Sequence, residues 1–306
     1  MEGRRLEPDL EMMLRLLARF EWPDYVSLPV PAVRAEVERR ARAFSMRPVR
    51  RVSVRELSLP GPAGAVAARL YEPLDAEAAG ALMLYLHGGG WVCGSLATHD
   101  ARCRFMARHA RVRVLSCAYR LAPEHRFPAA VEDALAALDW TLARAEELGA
   151  GRVGVGGDSA GGNLAAVLAG ERRERVAFQL LLYPVTDLSR EHPSYEAFAD
   201  APFLPAAEMR RFRGLYLGSD ADASDPRCSP LLASDLGGQP PAYVALAGFD
   251  PLYDEGATYA ARLREAGVEV TVATFEGQLH GFTGIADASP SARTALVDAC
   301  HWLRGR

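Results

Sequence analysis

Residues 152–170 read RVGVGGDSAGGNLAAVLAG. The strand run RVGVG meets the helical stretch Ala160–Gly170 across the pentapeptide Gly157-Asp158-Ser159-Ala160-Gly161, a G-x-S-x-G pattern. In that setting the serine sits on a tight strand-to-helix turn that lifts its hydroxyl out of the end of the sheet. Such a turn leaves no room for side chains two residues to either side, and both positions are glycine. The helix N-terminus behind the serine favours negative charge developing there. Ser159 is the candidate nucleophile. The competing reading, a chance match in a glycine-rich loop, does not account for the strand and helix that flank it.

Outward from this join, apolar strand runs alternate with helical stretches. Strands are expected at 81–86, 112–118, 152–156, 176–183, 243–247 and 269–275, with helices near 100–109, 128–149, 160–170, 254–266 and 289–303. This alternation predicts an α/β fold with a mostly parallel central sheet covered by helices on both faces. Before it, Val52 and Val54 alternate with polar residues, and a PGPAG turn at 60–64 leads into a second run at 65–71, a hairpin-like pair. Two helices precede every strand. Leu10, Met13, Leu14 and Leu17 fall at i, i+3, i+4 and i+7, and Val33, Val37 and Phe44 mark the second, with Pro23, Pro29 and Pro31 punctuating the link. Past Tyr183 about sixty residues go by before the next strand. A helix is expected there at 205–217, and a long insert of this kind is often a lid.

The strand at 81–86 runs straight into His87-Gly88-Gly89-Gly90-Trp91. Acyl transfer needs donors for an oxyanion, and backbone N–H groups unobstructed by side chains supply them best. The expected donors are the N–H groups of Gly88, Gly89 and Ala160. A phosphate-binding loop is the rival, and neither G-x-x-x-x-G-K-[ST] nor G-x-G-x-x-G is present. On a sheet of this type the chain order is Ser, acid, His. Only His280 and His301 lie beyond residue 200. His280 occupies a glycine-flanked loop, EGQLHGF, just past a strand, whereas His301 lies within a helical run. The acid candidates near a strand end are Asp250, Asp254 and Glu255. Asp250 follows the strand directly, while Asp254 and Glu255 open the next helix, where acidic residues are favoured by capping and the helix dipole.

The 306 residues are enough for one large core with a small appended lobe or for two ordinary domains. With 49% hydrophobic and 24% charged residues and a net charge of -4, the composition is that of a globular protein, and no basic block could track nucleic acid. The segment 78–99 is free of formal charge, but its dense apolar run is only 81–86, far short of the ~20 residues a bilayer helix needs. The opening MEGRRLEPDLEMML has acidic residues where an export signal needs an apolar run, so a cytoplasmic protein is expected. Five cysteines without a CxxC pair fit free thiols in a reducing compartment. The remaining histidines lack paired ligand spacing, so neither a metal nor another cofactor is called for. A homodimer is compatible with this reading, although no residue pattern specifies one.

HGGGW at 87–91, YRLAPEHRFPAAVED at 119–133, GDSAGGNLA at 157–165, GFDPLYDEG at 248–256 and HGF at 280–282 stand in the family order of the hormone-sensitive-lipase-like esterases, the bacterial family IV carboxylesterases. The chain closely resembles that family over roughly residues 70–285. The resemblance implies an α/β-hydrolase core at 49–306, a cap formed by helices in 1–48 together with an insert near 187–225, and hydrolysis of small, short-acyl esters. It maps the triad onto Ser159, Asp250 and His280. Gln278-Leu279 departs mildly from the family pattern without touching the triad. Trp91, Phe203 and Leu204 are candidate walls of the substrate pocket. Related hydrolases that act on thioesters, amides or lactones share such a triad. Ligand-binding receptors on this fold typically lack one of its members.

Overall fold

The computed structural model describes residues 4–19, 24–44, 46–74 and 80–306; Pro23 and the first three residues of the chain lie outside them. Eight strands form one sheet: β1 (Val52–Gly61), β2 (Gly64–Pro73), β3 (Ala81–Leu86), β4 (Arg113–Cys117), β5 (Arg152–Asp158), β6 (Gln179–Leu182), β7 (Ala242–Phe249) and β8 (Val270–Leu279). Their order is β1-β2-β4-β3-β5-β6-β7-β8. The β1–β2 hairpin closes at Gly61↔Gly64, where Gly64 takes φ +128, and β2 joins β4 antiparallel. From β4 to β8 every pairing is parallel.

The helices are α1 (Pro8–Leu17), α2 (Val30–Phe44), α3 (Asp100–Ala110), α4 (Ala129–Ala143), α5 (Ala160–Glu171), α6 (Pro193–Ala197), α7 (Ala206–Tyr216), α8 (Tyr253–Glu265) and α9 (Pro290–Arg304). All six residues of β3 are buried, because the strand is covered on both sides. Leu82, Leu84 and Leu86 face a core shared with α4, α5 and α8, while Met83 and Tyr85 face one shared with α3 and α9. That alternation is the period of two expected of a strand. Helix α5 is buried from Ala160 to Ala169, so it is covered on every side rather than amphipathic, and its one polar side chain there, Asn163, donates to Val185 O and Cys228 O. No helix among the described residues is long and apolar enough to cross a membrane.

Three expected boundaries shift by three residues or more. The helix expected at 128–149 ends at Ala143, and the chain turns through Gly149 at φ +68. The strand expected at 176–183 narrows to Gln179–Leu182, just ahead of Pro184. The strand expected to end at 275 continues to Leu279, which delivers His280 to the sheet edge. The insert contains α6, too short for any periodicity to reveal, as well as α7 and 3-10 turns at Asp220–Ser224 and Pro230–Leu232.

Of the apolar positions that marked α1, Leu10 is buried and Met13, Leu14 and Leu17 are half-buried. Helix α2 is tied to the core by Arg34, which donates to Val92 O (2.8 Å), Ala122 O (2.8 Å) and Glu124. Arg211 of α7 donates to Tyr25 O and Leu28 O, so the insert and the N-terminal segment hold one another.

Candidate active site

Strands β3, β5, β7 and β8 are parallel, so their carboxyl ends share one edge, and the candidate residues collect there. Ser159 follows β5 with φ 54 and ψ −120, a left-handed conformation that a non-glycine residue holds only under the constraint of its surroundings. A Cβ on Gly157 would come 2.3 Å from Gly161 O, and one on Gly161 would come 2.0 Å from Leu86 O. Both glycines are therefore required by close backbone approach, the reason expected from the pentapeptide.

His280 Nε2 lies 2.9 Å from Ser159 Oγ, and His280 Nδ1 lies 2.7 Å from Asp250 Oδ2. The three groups are 7%, 8% and 1% exposed in the order Ser159, His280, Asp250. Asp250 Oδ1 accepts from the Leu252 N–H at 2.9 Å, which fixes the carboxylate's rotation. The imidazole meets the Tyr183 ring edge-on at 4.8 Å, and the Tyr183 hydroxyl is hydrogen-bonded to Thr283.

The rival acids are occupied elsewhere. Asp254 Oδ2 accepts from Ser194 N–H at 2.8 Å, tying α8 to α6. Glu255 Oε1 accepts from the N–H groups of Thr186 (2.7 Å) and Asp187 (3.2 Å). Both stand in the first turn of α8 as expected, and each also holds a second segment, Asp254 the start of α6 and Glu255 the backbone of Thr186 and Asp187. Glu255 is fully buried, and burial, partly opposed by those two N–H bonds, pushes its carboxyl well above the usual range.

The loop after β3 corrects one expected donor. The Gly88 N–H points to Asp158 Oδ1 at 3.1 Å, with His99 Nε2 at 3.3 Å, so it is already engaged and not free for an oxyanion. Gly89 and Gly90 follow at φ +119 and +60. The N–H groups of Gly89, Gly90 and Ala160 have no acceptor among the described residues. The loop is held from behind by the Tyr119 hydroxyl, which donates to His87 O at 2.6 Å, and by the His87 ring stacked on Tyr119 at 4.3 Å. Burial, assisted by nearby His99, lowers the His87 pKa to about 4, so this ring stays neutral.

Trp91 is corrected as a pocket wall. It has no exposed surface, and its indole stacks on Tyr216 at 4.2 Å, packing α7 onto the glycine loop. Leu204 is likewise buried in the core. Phe203 lines a cavity of about 540 Å³ together with Leu14, Leu17, Tyr25, Asp200 and Glu208. The groups that sequence reasoning missed are Asp158, Arg102, His99 and Tyr85. One signal was available: Asp158 is the sole charge between Arg152 and Glu171.

Glu208 is only 7% exposed, and burial pushes its pKa to about 8 from 4.5, against the pull of Arg40 and Arg211. The fold therefore favours the neutral carboxyl. This contribution is intact below about pH 4.5 and is lost as pH rises through about 8. Glu208→Gln, neutral at every pH, is expected to match the wild type in Tm near pH 4.5. Well above pH 8 it should exceed it by several degrees, on the order of 5 kcal/mol. A Tm difference that stays constant across that range would contradict the sign.

A serine, a histidine and an aspartate in hydrogen-bonded sequence at the carboxyl edge of a doubly covered parallel sheet define the class as an α/β hydrolase. A family model described as alpha/beta hydrolase fold matches residues 83–284. The chain is 44% identical to the carboxylic ester hydrolase LipN of Mycobacterium tuberculosis, covering 93% of this chain and 78% of the relative. It is 40% identical to the ethyl acetate hydrolase of Pseudomonas putida, covering 95% and 96%. Among solved structures it is similar to the ester-hydrolase EH1AB1 from the metagenome of Lake Arreo, with a TM-score of 0.93, 41% identity and 98% of each chain covered. The chain belongs to the hormone-sensitive-lipase-like carboxylesterases of the α/β-hydrolase superfamily, and it hydrolyses carboxylic esters.

Proposed function

We propose that Ser159 is the nucleophile of this esterase, His280 its general base and Asp250 the acid that orients the imidazole. We assign the N–H groups of Gly89, Gly90 and Ala160 to the oxyanion hole. The observation that carries the reading is the unbroken Ser159–His280–Asp250 hydrogen-bond chain of 2.9 and 2.7 Å. Ser159 Oγ attacks the ester carbonyl carbon while its proton passes to His280 Nε2. The carbonyl oxygen takes up the electron pair and meets the three backbone donors. His280 then gives the proton to the leaving alcohol as the C–O bond breaks. Water, deprotonated by the same imidazole, attacks the acyl-enzyme carbonyl; the C–Oγ bond then breaks, the imidazolium returns its proton to Ser159 Oγ, and the acid leaves.

The preferred substrates are short-acyl esters. Supporting this are the largely buried Ser159 and His280, which leave little open surface at the reacting atoms. The similarity to an enzyme called ethyl acetate hydrolase points the same way. Residues 1–48 and the insert at 187–225 act together as a cap, a reading supported by the bonds of Arg34 and Arg211. The compartment is cytoplasmic, which suits five buried free thiols.

The deciding experiment is a panel of p-nitrophenyl esters graded in acyl length, with matching thioester, anilide and lactone arms. The expected kcat/KM peaks at short acyl chains and falls by about 10-fold or more for long ones, since a few methylenes without a pocket forfeit roughly 1–3 kcal/mol. Faster cleavage of the long chains, or a thioester arm that outruns the ester of the same acyl group and leaving-group acidity, would overturn it.

A further inference from the structure

Asp158 occupies the variable position of the elbow pentapeptide and takes no part in the triad. It is nevertheless the most heavily held carboxylate beside the site. The Tyr85 hydroxyl donates to Oδ1 at 2.6 Å, and Arg102 Nη1 lies 2.6 Å from Oδ2. His99 Nε2 is 3.3 Å from Oδ1, with its own Nδ1 2.8 Å from Thr98 Oγ1. Arg102 Nη1 also donates to the Tyr85 hydroxyl at 3.3 Å. All four side chains, on β3, β5, α3 and the loop before α3, are buried.

We propose that Asp158 is a positioning residue for the oxyanion hole: by binding the Gly88 N–H it draws that peptide inward and so turns the two following amides, Gly89 and Gly90, toward the reacting carbonyl. This role rests on the esterase mechanism proposed above and deepens it. The glycine loop makes the coupling direct. With the Gly88 peptide fixed, the chain reverses at Gly89 and Gly90 through left-handed conformations, and neither position has space for a side chain. A Cβ on Gly88 would lie 2.6 Å from Asp158 Oδ2, so the loop rests directly on the carboxylate.

The carboxylate must be ionised to accept from Gly88, Tyr85 and Arg102 at once. Burial opposes that charge, yet the Arg102 guanidinium, His99 and the Tyr85 hydroxyl hold Asp158 well below the usual carboxylate range. Arg102 is held well above its ordinary value by the same contact, against its own burial. Its Nη2 would be 2.9 Å from a Cβ on Gly284, so the 3-10 turn Phe282–Ile285 after His280 passes over the guanidinium. One buried ion pair thereby braces the glycine loop on one side and the turn behind the base on the other.

The test uses Asp158→Asn and Tyr85→Phe in the full chain, with kcat, KM and the affinity for a short-chain trifluoromethyl ketone, whose serine adduct carries an oxyanion. Active sites are counted with a covalent phosphonate, so that kcat is per competent molecule. In Asp158→Asn the amide oxygen is drawn to Arg102, leaving an NH₂ group against the Gly88 N–H. The expected result is a kcat loss of about 10²-fold with KM within about 3-fold, and a matching loss of ketone affinity. Tyr85→Phe removes one holder and should lose several-fold in both quantities together. A merely structural residue would lower Tm and the count of competent sites without moving kcat per site.

The role of Asp158 is overturned if folded Asp158→Asn keeps kcat and ketone affinity within twofold, or loses kcat without losing ketone affinity. Should Asp158→Asn not fold, an unchanged pair of values in Tyr85→Phe overturns it instead. A wild type that binds the trifluoromethyl ketone no more tightly than the plain methyl ketone would sink the oxyanion-hole assignment itself, a distinct failure.

Discussion

Ser159→Ala is expected to lower kcat/KM for a short-chain ester by about 10⁴-fold or more while leaving the protein folded. Alanine removes only the Oγ atom. The change leaves Ala160 N–H and the glycine loop in place and spares His280 its bond to Asp250 Oδ2 at 2.7 Å. What remains is the modest catalysis that binding and backbone donors supply without a nucleophile. The left-handed φ of 54 at this position costs alanine about as much as serine, so Tm should change little. Kinetics beside a thermal melt check both halves. A folded Ser159→Ala protein retaining a tenth of wild-type turnover would remove Ser159 from the mechanism.

The second large effect is expected at Asp250. Asp250→Asn keeps the shape of the side chain, but with its oxygen held by the Leu252 N–H it turns an NH₂ donor toward His280 Nδ1, which must then accept, so the ring proton moves to Nε2 and no unprotonated Nε2 faces Ser159. In serine proteases the equivalent exchange costs about 10⁴-fold in kcat. Asp254→Asn and Glu255→Gln set the contrast. Asp254 holds the start of α6, and Glu255 holds the Thr186–Asp187 backbone. Losses at those positions should appear as about 1–2 kcal/mol of stability with turnover changed only a few-fold. If Asp250→Asn stays active while Asp254→Asn is folded and inactive, the acid is Asp254.

What was legible in the sequence has a common physical origin. The elbow at 157–161 and the glycine loop at 88–90 are dictated by local chain geometry, so their residue types report directly on backbone shape. Asp250 and His280 could be found because each follows an apolar strand that ends at the same edge, and chain order constrains the choice. The use of the Gly88 N–H was not legible, since its acceptor is a carboxylate seventy residues further along the chain. The destination of Glu255 was hidden for the same reason. First-turn preference explains an acid there equally well, and only packing of α8 against the loop after β6 discloses its partners. Trp91 misled because an aromatic beside a reactive loop has the same composition whether it faces a ligand or a helix, and here it faces Tyr216. The early end of α4 lies at Arg144, which leaves helical geometry with φ −118 and ψ 18 although the residues up to 148 are good helix formers.

The edge at which β3, β5, β7 and β8 deliver their residues has a bearing on how the protein comes into being. Ser159 and His280 are separated by 121 residues, and β8, which carries His280 to its place, is the last strand in the chain. Loop closure over such distances is slow because chain entropy must be surrendered before the contact forms, whereas α5 and α9 are built from local hydrogen bonds. During refolding, helix content can therefore be near its final value in molecules whose β8 has not docked. In those molecules Ser159 has no base, however well its elbow is formed. Ester turnover therefore counts only molecules in which β8 has docked, a distinction that helix content alone does not make.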